Sequence, residues 1–157
     1  MKKIGSFIIL FLAMTAWLGA KVNAQNKPDD VLGAWFNEEK TSKVLIFKEG
    51  NKYFAKVAWL KEPNDVKTGK PRTDNLNPEP KLQNVPLMGL VIMKNFVFDG
   101  EDEWNDGTIY DPKNGKTYKS YIKFDSPGKL KIRGYIGVSL LGRSTYWTKT
   151  VLPQPQP

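Results

Sequence analysis

Five polar side chains with chemical potential share one proline-rich stretch between Trp59 and Leu90: Asp65, Arg72, Asp74, Asn77 and Lys81. Carboxylate, guanidinium, carboxamide and ammonium groups held this close can form a polar rim that orients a small ligand. They can equally pin their own loop, with Asp74 capping a short helical turn. Asp74, Asn77 and Lys81 are the candidate ligand-binding residues. An acid pair for hydrolysis is conceivable among Asp74, Asp106 and Asp111, but it needs two carboxyl groups about 5–9.5 Å apart, a separation that sequence does not supply. The run Asp102-Glu103-Trp104-Asn105-Asp106-Gly107 has the composition of a calcium loop. With Gly107 as the turn glycine, however, the third ligand position falls on Trp104, which has no oxygen, so the run reads as the approach to a hairpin. The chain has no histidine and no cysteine. That removes Ser-His and Cys-His nucleophiles, imidazole bases and the familiar zinc sites. Any enzyme would have to work with carboxylates, lysine or tyrosine, so the sequence points to a non-catalytic protein without metal or cofactor.

The elements that must position these residues follow a period of two. Tyr118, Ser120, Ile122 and Phe124 share one face of a run, while Thr117, Lys119, Tyr121 and Lys123 share the other. Leu130 to Arg133 and Lys43 to Phe47 alternate in the same way. Tyr53, Ala55, Val57 and Trp59 do so with less contrast. Eight strands are expected, near 32–38, 43–49, 52–61, 89–97, 102–110, 115–125, 129–137 and 142–150. The turn signals between them include Glu49-Gly50-Asn51, Asp99-Gly100, Asn114-Gly115, Ser126-Pro127-Gly128 and Leu141-Gly142. Many short antiparallel strands close into a barrel or stack as a sandwich. The expectation is an all-β fold, a single antiparallel eight-stranded barrel, with a β-sandwich as the alternative. One connection, 62–88, is too long for a hairpin and too proline-rich for a central strand. The many aromatic residues either fill such a barrel or line a cavity in it.

The chain opens with Met1-Lys2-Lys3, an apolar run from Ile4 to Leu18 and the small-residue ending Val22-Asn23-Ala24. Basic, apolar and small in that order make a secretory signal peptide over 1–24, and the apolar core is shorter than the roughly 20 residues of a membrane span. Cleavage after Ala24 leaves one barrel domain over 25–151 and a Pro/Gln tail over 152–157. It also removes Lys2, Lys3 and Lys21, taking the formal charge from +8 to +5. That excess suits solubility and mild attraction to acidic surfaces. Nucleic acid is not an expected partner, because its binding requires a clustered basic patch and an exported chain rarely meets it. Without cysteine in an oxidising compartment, the core alone must supply stability.

Two resemblances follow. Gly33-Ala34-Trp35 on the first strand, with Gly142-Arg143 and Trp147 on the last, resembles the closure of lipocalin-like barrels. That likeness implies an arginine stacked across the Trp35 indole, a contact worth roughly 0.5–2 kcal/mol. Over most of the domain, a longer series resembles the bacterial domain-of-unknown-function family 2147. It comprises Asp74, Asn77-Pro78, Pro86-Leu87-Met88-Gly89-Leu90, Trp104 with Gly107, Tyr110-Asp111-Pro112, Gly115-Lys116 with Tyr118, Leu130, Arg133-Gly134-Tyr135, Gly137, Gly142-Arg143 and Trp147. The resemblance implies an exported, lipocalin-like domain and carries no substrate with it. Where that family often places Arg-x-Arg before the Pro-Leu, this chain has Gln83, Asn84 and Val85, with Lys81 the nearby base.

These readings converge on a soluble, monomeric protein of the bacterial periplasm or exterior. The leading expectation is a binding protein for a small apolar or amphipathic ligand, with the 62–88 loop over the barrel entrance. A second is an envelope interaction protein whose outer face, with Lys119, Tyr121, Lys123, Arg133 and Tyr135, contacts acidic lipid or glycan. A carboxylate-based hydrolase is the third.

Overall fold

A computed structural model of the chain describes residues 26–153. The expected leader, 1–24, and the last four residues of the tail lie outside the described residues. Eight antiparallel strands are hydrogen-bonded in sequence order and close into a barrel: β1 (Gly33–Phe36), β2 (Ser42–Glu49), β3 (Lys52–Leu60), β4 (Val91–Phe98), β5 (Glu103–Asp111), β6 (Lys116–Ser126), β7 (Lys129–Tyr135) and β8 (Gly142–Thr150). Closure is made by β1 against β8, with Trp35 opposite Lys149 and Phe36 opposite Thr148. A sandwich would leave these edges open; here none remains unpaired. Among the described residues, no helix is long and apolar enough to cross a membrane.

Alternation sends one set of side chains inward. Trp35, Phe96, Trp104, Leu130 and Ile132 are completely buried, and Trp147 is 4% exposed. The rings meet mostly edge-on: Trp104 lies 5.9 Å from Phe124 and 6.4 Å from Tyr53, and Trp35 lies 6.1 Å from Phe124. Aromatic pairs favour this arrangement because the ring edge is positive and the face negative. Gly107 leaves room for the Phe96 ring, which occupies the space its Cβ would need. Large side chains therefore pack together inside the barrel, the outcome an eight-stranded barrel allows when its inward positions are large.

One end of the barrel is plugged by a 3₁₀ turn, Pro28–Val31, just ahead of β1. The indole N–H of Trp35 donates to the Val31 carbonyl (2.8 Å), and that of Trp104 donates to the Pro28 carbonyl (3.0 Å). Asp29 Oδ1 accepts from the Tyr53 hydroxyl (2.7 Å) and Lys48 Nζ (2.8 Å), and these bonds hold its carboxyl below the usual range. Buried indole and phenol groups thus find partners in the plug.

Two sequence expectations are corrected here. The cation over the Trp35 ring is Lys149, not Arg143: Lys149 Nζ sits 4.3 Å from the ring centroid and donates to the Leu32 carbonyl. Arg143 is exposed at the other end of β8, opposite Gly134 and six residues from Lys149. At about 3.3 Å per residue that separation is roughly 20 Å, out of reach of the indole. Gly33 makes the room, since a Cβ there would stand 3.3 Å from Lys149 Nζ. Burial lowers the Lys149 pKa. The second correction concerns Trp59. A register shift between Lys43 and Val44 turns it away from Tyr53, Ala55 and Val57, to pack edge-on with Phe36 (6.0 Å) beneath Lys43. A bulge reverses the face of everything beyond it, and plain alternation does not foresee that.

Candidate ligand site beside the long loop

The plugged end leaves the opposite end to four connections: residues 37–41, 61–90, 112–115 and 136–141. The longest, 61–90, folds on itself through isolated β-bridges pairing Asn64 with Pro71 and Thr73 with Pro86, and rejoins the barrel where the Gly89 N–H donates to the Val57 carbonyl (2.8 Å). A short 3₁₀ turn, Pro80–Leu82, lies within it.

Asp74 ties the loop to the barrel. It is 1% exposed, and both carboxylate oxygens are occupied: Oδ1 accepts from the Tyr110 hydroxyl at 2.7 Å, and Oδ2 from Asn77 Nδ2 at 2.7 Å. Its N–H donates to the Val85 carbonyl, and its carbonyl accepts from the Asn77 N–H, each at 2.9 Å. Asn77 is equally committed. Its Oδ1 accepts from the Glu79 N–H and its carbonyl from Gln83 Nε2, both at 2.9 Å. A buried carboxylate is tolerated only when donors replace its water, and charge-assisted bonds of this kind are the strong ones. Burial, followed by the Asp74 carboxylate, pushes the Tyr110 pKa up to about 12. The loop also presses on the β5–β6 turn: Gly115, at φ +70°, has the Leu76 carbonyl oxygen where its Cβ would be, only 2.0 Å away.

The three residues expected to contact a ligand, Asp74, Asn77 and Lys81, are placed differently by the fold. Asp74 divides its carboxylate between Tyr110 of the barrel and Asn77 of the loop, and Asn77 directs its side chain to Asp74 and Glu79. Lys81 is exposed and paired with Glu79 at 3.1 Å. Of the acids weighed for hydrolysis, Asp74 has one oxygen engaged by Tyr110 and the other by Asn77. Asp111 holds its own turn by accepting from the Lys113 N–H and Asn114 Nδ2, and Asp106 sits exposed at a β5 bulge with φ 60°.

What the knot creates is a cleft of about 610 Å³ between the loop and the β5–β6 turn, lined by Arg72, Asn75, Leu76, Leu87, Pro112 and Lys113 among others. Its volume falls within the roughly 300–1,000 Å³ of small-molecule sites. Lys113 is paired with Glu39 at 3.0 Å. Asp65, the acid on this wall, turns its carboxylate into its own loop. It accepts from the Thr68 N–H (2.8 Å), the Thr68 hydroxyl (3.0 Å) and the Lys67 N–H (3.0 Å), and the Thr68 bonds lower its pKa. The wall therefore offers apolar carbon, carboxamides, threonine side chains and the cationic groups of Lys70 and Arg72. Sequence reading placed Arg72 and Asp65 in the loop but missed Leu76, Leu87, Pro112 and Lys113, which only the folded loop brings together.

A closed, up-and-down barrel of eight strands with a plugged end is a lipocalin-like architecture, the class in which small ligands are bound. A solved structure of protein HP1028 from Helicobacter pylori, described as belonging to the lipocalin family, is similar to this chain. Its TM-score is 0.65 at 26% identity, over 76% of this chain and 82% of that one. No curated protein matches. The model of a bacterial family described as "Uncharacterized protein conserved in bacteria (DUF2147)" matches residues 33–149, and the chain belongs to that family.

Proposed function

We propose that this protein is an exported, non-catalytic binding protein of the bacterial envelope, and that it takes a small amphipathic ligand with an anionic group in the cleft beside the long loop. The observation that carries the reading is the cleft wall. Leu76, Leu87 and Pro112 supply apolar surface next to Arg72, while the neighbouring acid, Asp65, is satisfied within its own turn. The large side chains packed inside the barrel support a site outside the deep interior, and the Asp74 knot keeps the wall preorganised, which lowers the cost of ordering it on binding. Export is supported by the leader at residues 1–24.

The test is titration of the chain beginning at Gln25 with a fluorescent fatty-acid probe, alongside native mass spectrometry of protein recovered from its envelope without detergent. Saturable one-site binding and an adduct of fixed mass are expected. Arg72→Glu should weaken binding about tenfold or more, the scale of a lost charge-assisted contact. Absence of uptake, or binding indifferent to Arg72→Glu, refutes the assignment.

A further inference from the structure

The apolar residues left in solvent are not scattered. Every exposed large apolar side chain among the described residues, apart from Val151, lies in one of two loops at the unplugged end: Val66, Leu76, Leu82 and Met88 in the long loop, and Ile136, Val138, Leu140 and Leu141 between β7 and β8. The second group is the denser. Four apolar side chains within six residues are 67%, 60%, 87% and 74% exposed respectively. A connection of this length normally carries polar residues, so concentrated exposure marks an interaction surface.

This loop is held in shape rather than loose. The Arg133 guanidinium donates to the Ser139 carbonyl through Nε (2.6 Å), to the Leu140 carbonyl through Nη2 (3.1 Å) and to the Ser144 hydroxyl through Nη1 (3.1 Å). The Leu141 N–H donates to the Val138 carbonyl (3.0 Å). Backbone groups that would be costly to bring into an apolar medium are thereby satisfied from within, while the side chains point out. All of the Arg133 partners are neutral oxygens, so no carboxylate offsets its charge. Pro127 to Val151 contains Lys129, Lys131, Arg133, Arg143 and Lys149 and no acid. Lys119, on the strand beside β7 and opposite Tyr135, is exposed, as is Arg143, and neither has an ion-pair partner among the described residues.

We infer that the β7–β8 loop is a docking tip for an anionic lipid surface, with Leu140 and Leu141 entering the interface and Arg133, Arg143 and Lys119 facing the headgroups. A lipid surface fits better than a soluble polyanion, because the apolar tip needs an apolar receiver while the collar needs anions; anionic leaflets supply both. The docking does not depend on the ligand reading, since it uses other residues and needs no occupied cleft.

The absence of cysteine makes the test direct. The chain beginning at Gln25, with Leu140→Cys carrying a polarity-sensitive dye, is mixed with phosphatidylcholine vesicles with and without phosphatidylglycerol. A second sample carries the dye at Ser126→Cys, beside the plugged end. A blue shift at Leu140 only, with anionic vesicles only, is expected. In unlabelled protein, vesicle partitioning should fall about tenfold or more for Leu141→Ser. It should fall about fivefold for Lys119→Gln, the contribution of one basic residue near an anionic surface. No partitioning overturns the proposal. So does partitioning indifferent to Leu141→Ser, a dye shift at Ser126 as large as at Leu140, or equal binding to a soluble polyanionic glycan without a shift. Since fatty-acid titration involves no vesicle and Arg72 takes no part here, either proposal can fail alone.

Discussion

Replacing Gly115 with alanine probes the contact on which the cleft depends. Gly115 has φ +70° and closes the β5–β6 turn, its N–H donating to the Asp111 carbonyl at 2.9 Å. Alanine meets two separate costs there. Holding an L-residue in the left-handed region costs about 1–2 kcal/mol. The new methyl would also stand 2.0 Å from the Leu76 carbonyl oxygen, a backbone atom that no rotamer change can move aside. Relief requires the loop to retreat by well over an ångström, which stretches the Asp74–Tyr110 and Asp74–Asn77 hydrogen bonds. Weakening bonds to a buried charge adds about 1.5–3 kcal/mol, so the expected total is about 3–5 kcal/mol. Gly50 supplies the control: at φ +61°, with nothing within 4 Å of its Cβ position, Gly50→Ala meets only the conformational cost. Urea denaturation of both variants gives the difference, and amide exchange at Asn77 reports whether the loop has lifted. Equal losses for the two variants, or unchanged protection at Asn77, would refute the claim that the loop rests on this turn.

Asp74→Asn keeps the shape of the knot but removes its charge and replaces one acceptor oxygen by an amide nitrogen, which must either oppose Asn77 Nδ2 or face the Tyr110 hydroxyl and take away the acceptor of its O–H. It should cost about 1–3 kcal/mol in urea denaturation without removing the fold. Tyr110 carries a pH signature. Its folded pKa, about 12, is raised above the ordinary value of 10, so its contribution to stability is fully present below pH 10 and is lost as pH climbs towards 12. Tyr110→Phe should flatten the fall in melting temperature across that window, and an unchanged slope would count against the assignment. Ser120 is 1% exposed, and its hydroxyl oxygen has no hydrogen-bond partner. Ser120→Ala should therefore be neutral or stabilising by about 1 kcal/mol, a rise of about 2–8 °C in Tm; a clear drop would reveal a hidden partner.

The barrel was legible because its strands announce themselves twice, through alternation and through the turns between them. Tyr118, Ser120, Ile122 and Phe124 share the inward register read from sequence, and each observed strand lies within two residues of its expected ends. What escaped depended on offsets that one sequence does not encode locally. Trp59 changes face because Ala58, beside it, is the extra residue where β3 pairs with β2. Lys149 takes the place over Trp35 because Gly33 leaves space across the β1–β8 seam, a pairing between opposite ends of the chain. The long loop was expected to be either a lid or a self-pinned segment. The choice rests on Tyr110, a residue 36 positions from Asp74 that reads as an ordinary strand aromatic. The cleft was hidden for the same reason, being a surface between two connections rather than a motif in either.

The plug and the seam fix where the chain enters and leaves. β1 begins and β8 ends at the plugged end, with Ala34 opposite Thr150. The described chain therefore enters and leaves the barrel at the same end, a barrel's length from the β7–β8 tip. With β8 nine residues long, at about 3.4 Å each, that distance is roughly 30 Å. The molecule has a handle at one end and its long loops at the other. A surface-immobilised copy held by its C-terminus would present those loops outward, and a short linker joining the two ends would allow the chain to be reopened at the exposed β2–β3 turn without disturbing them.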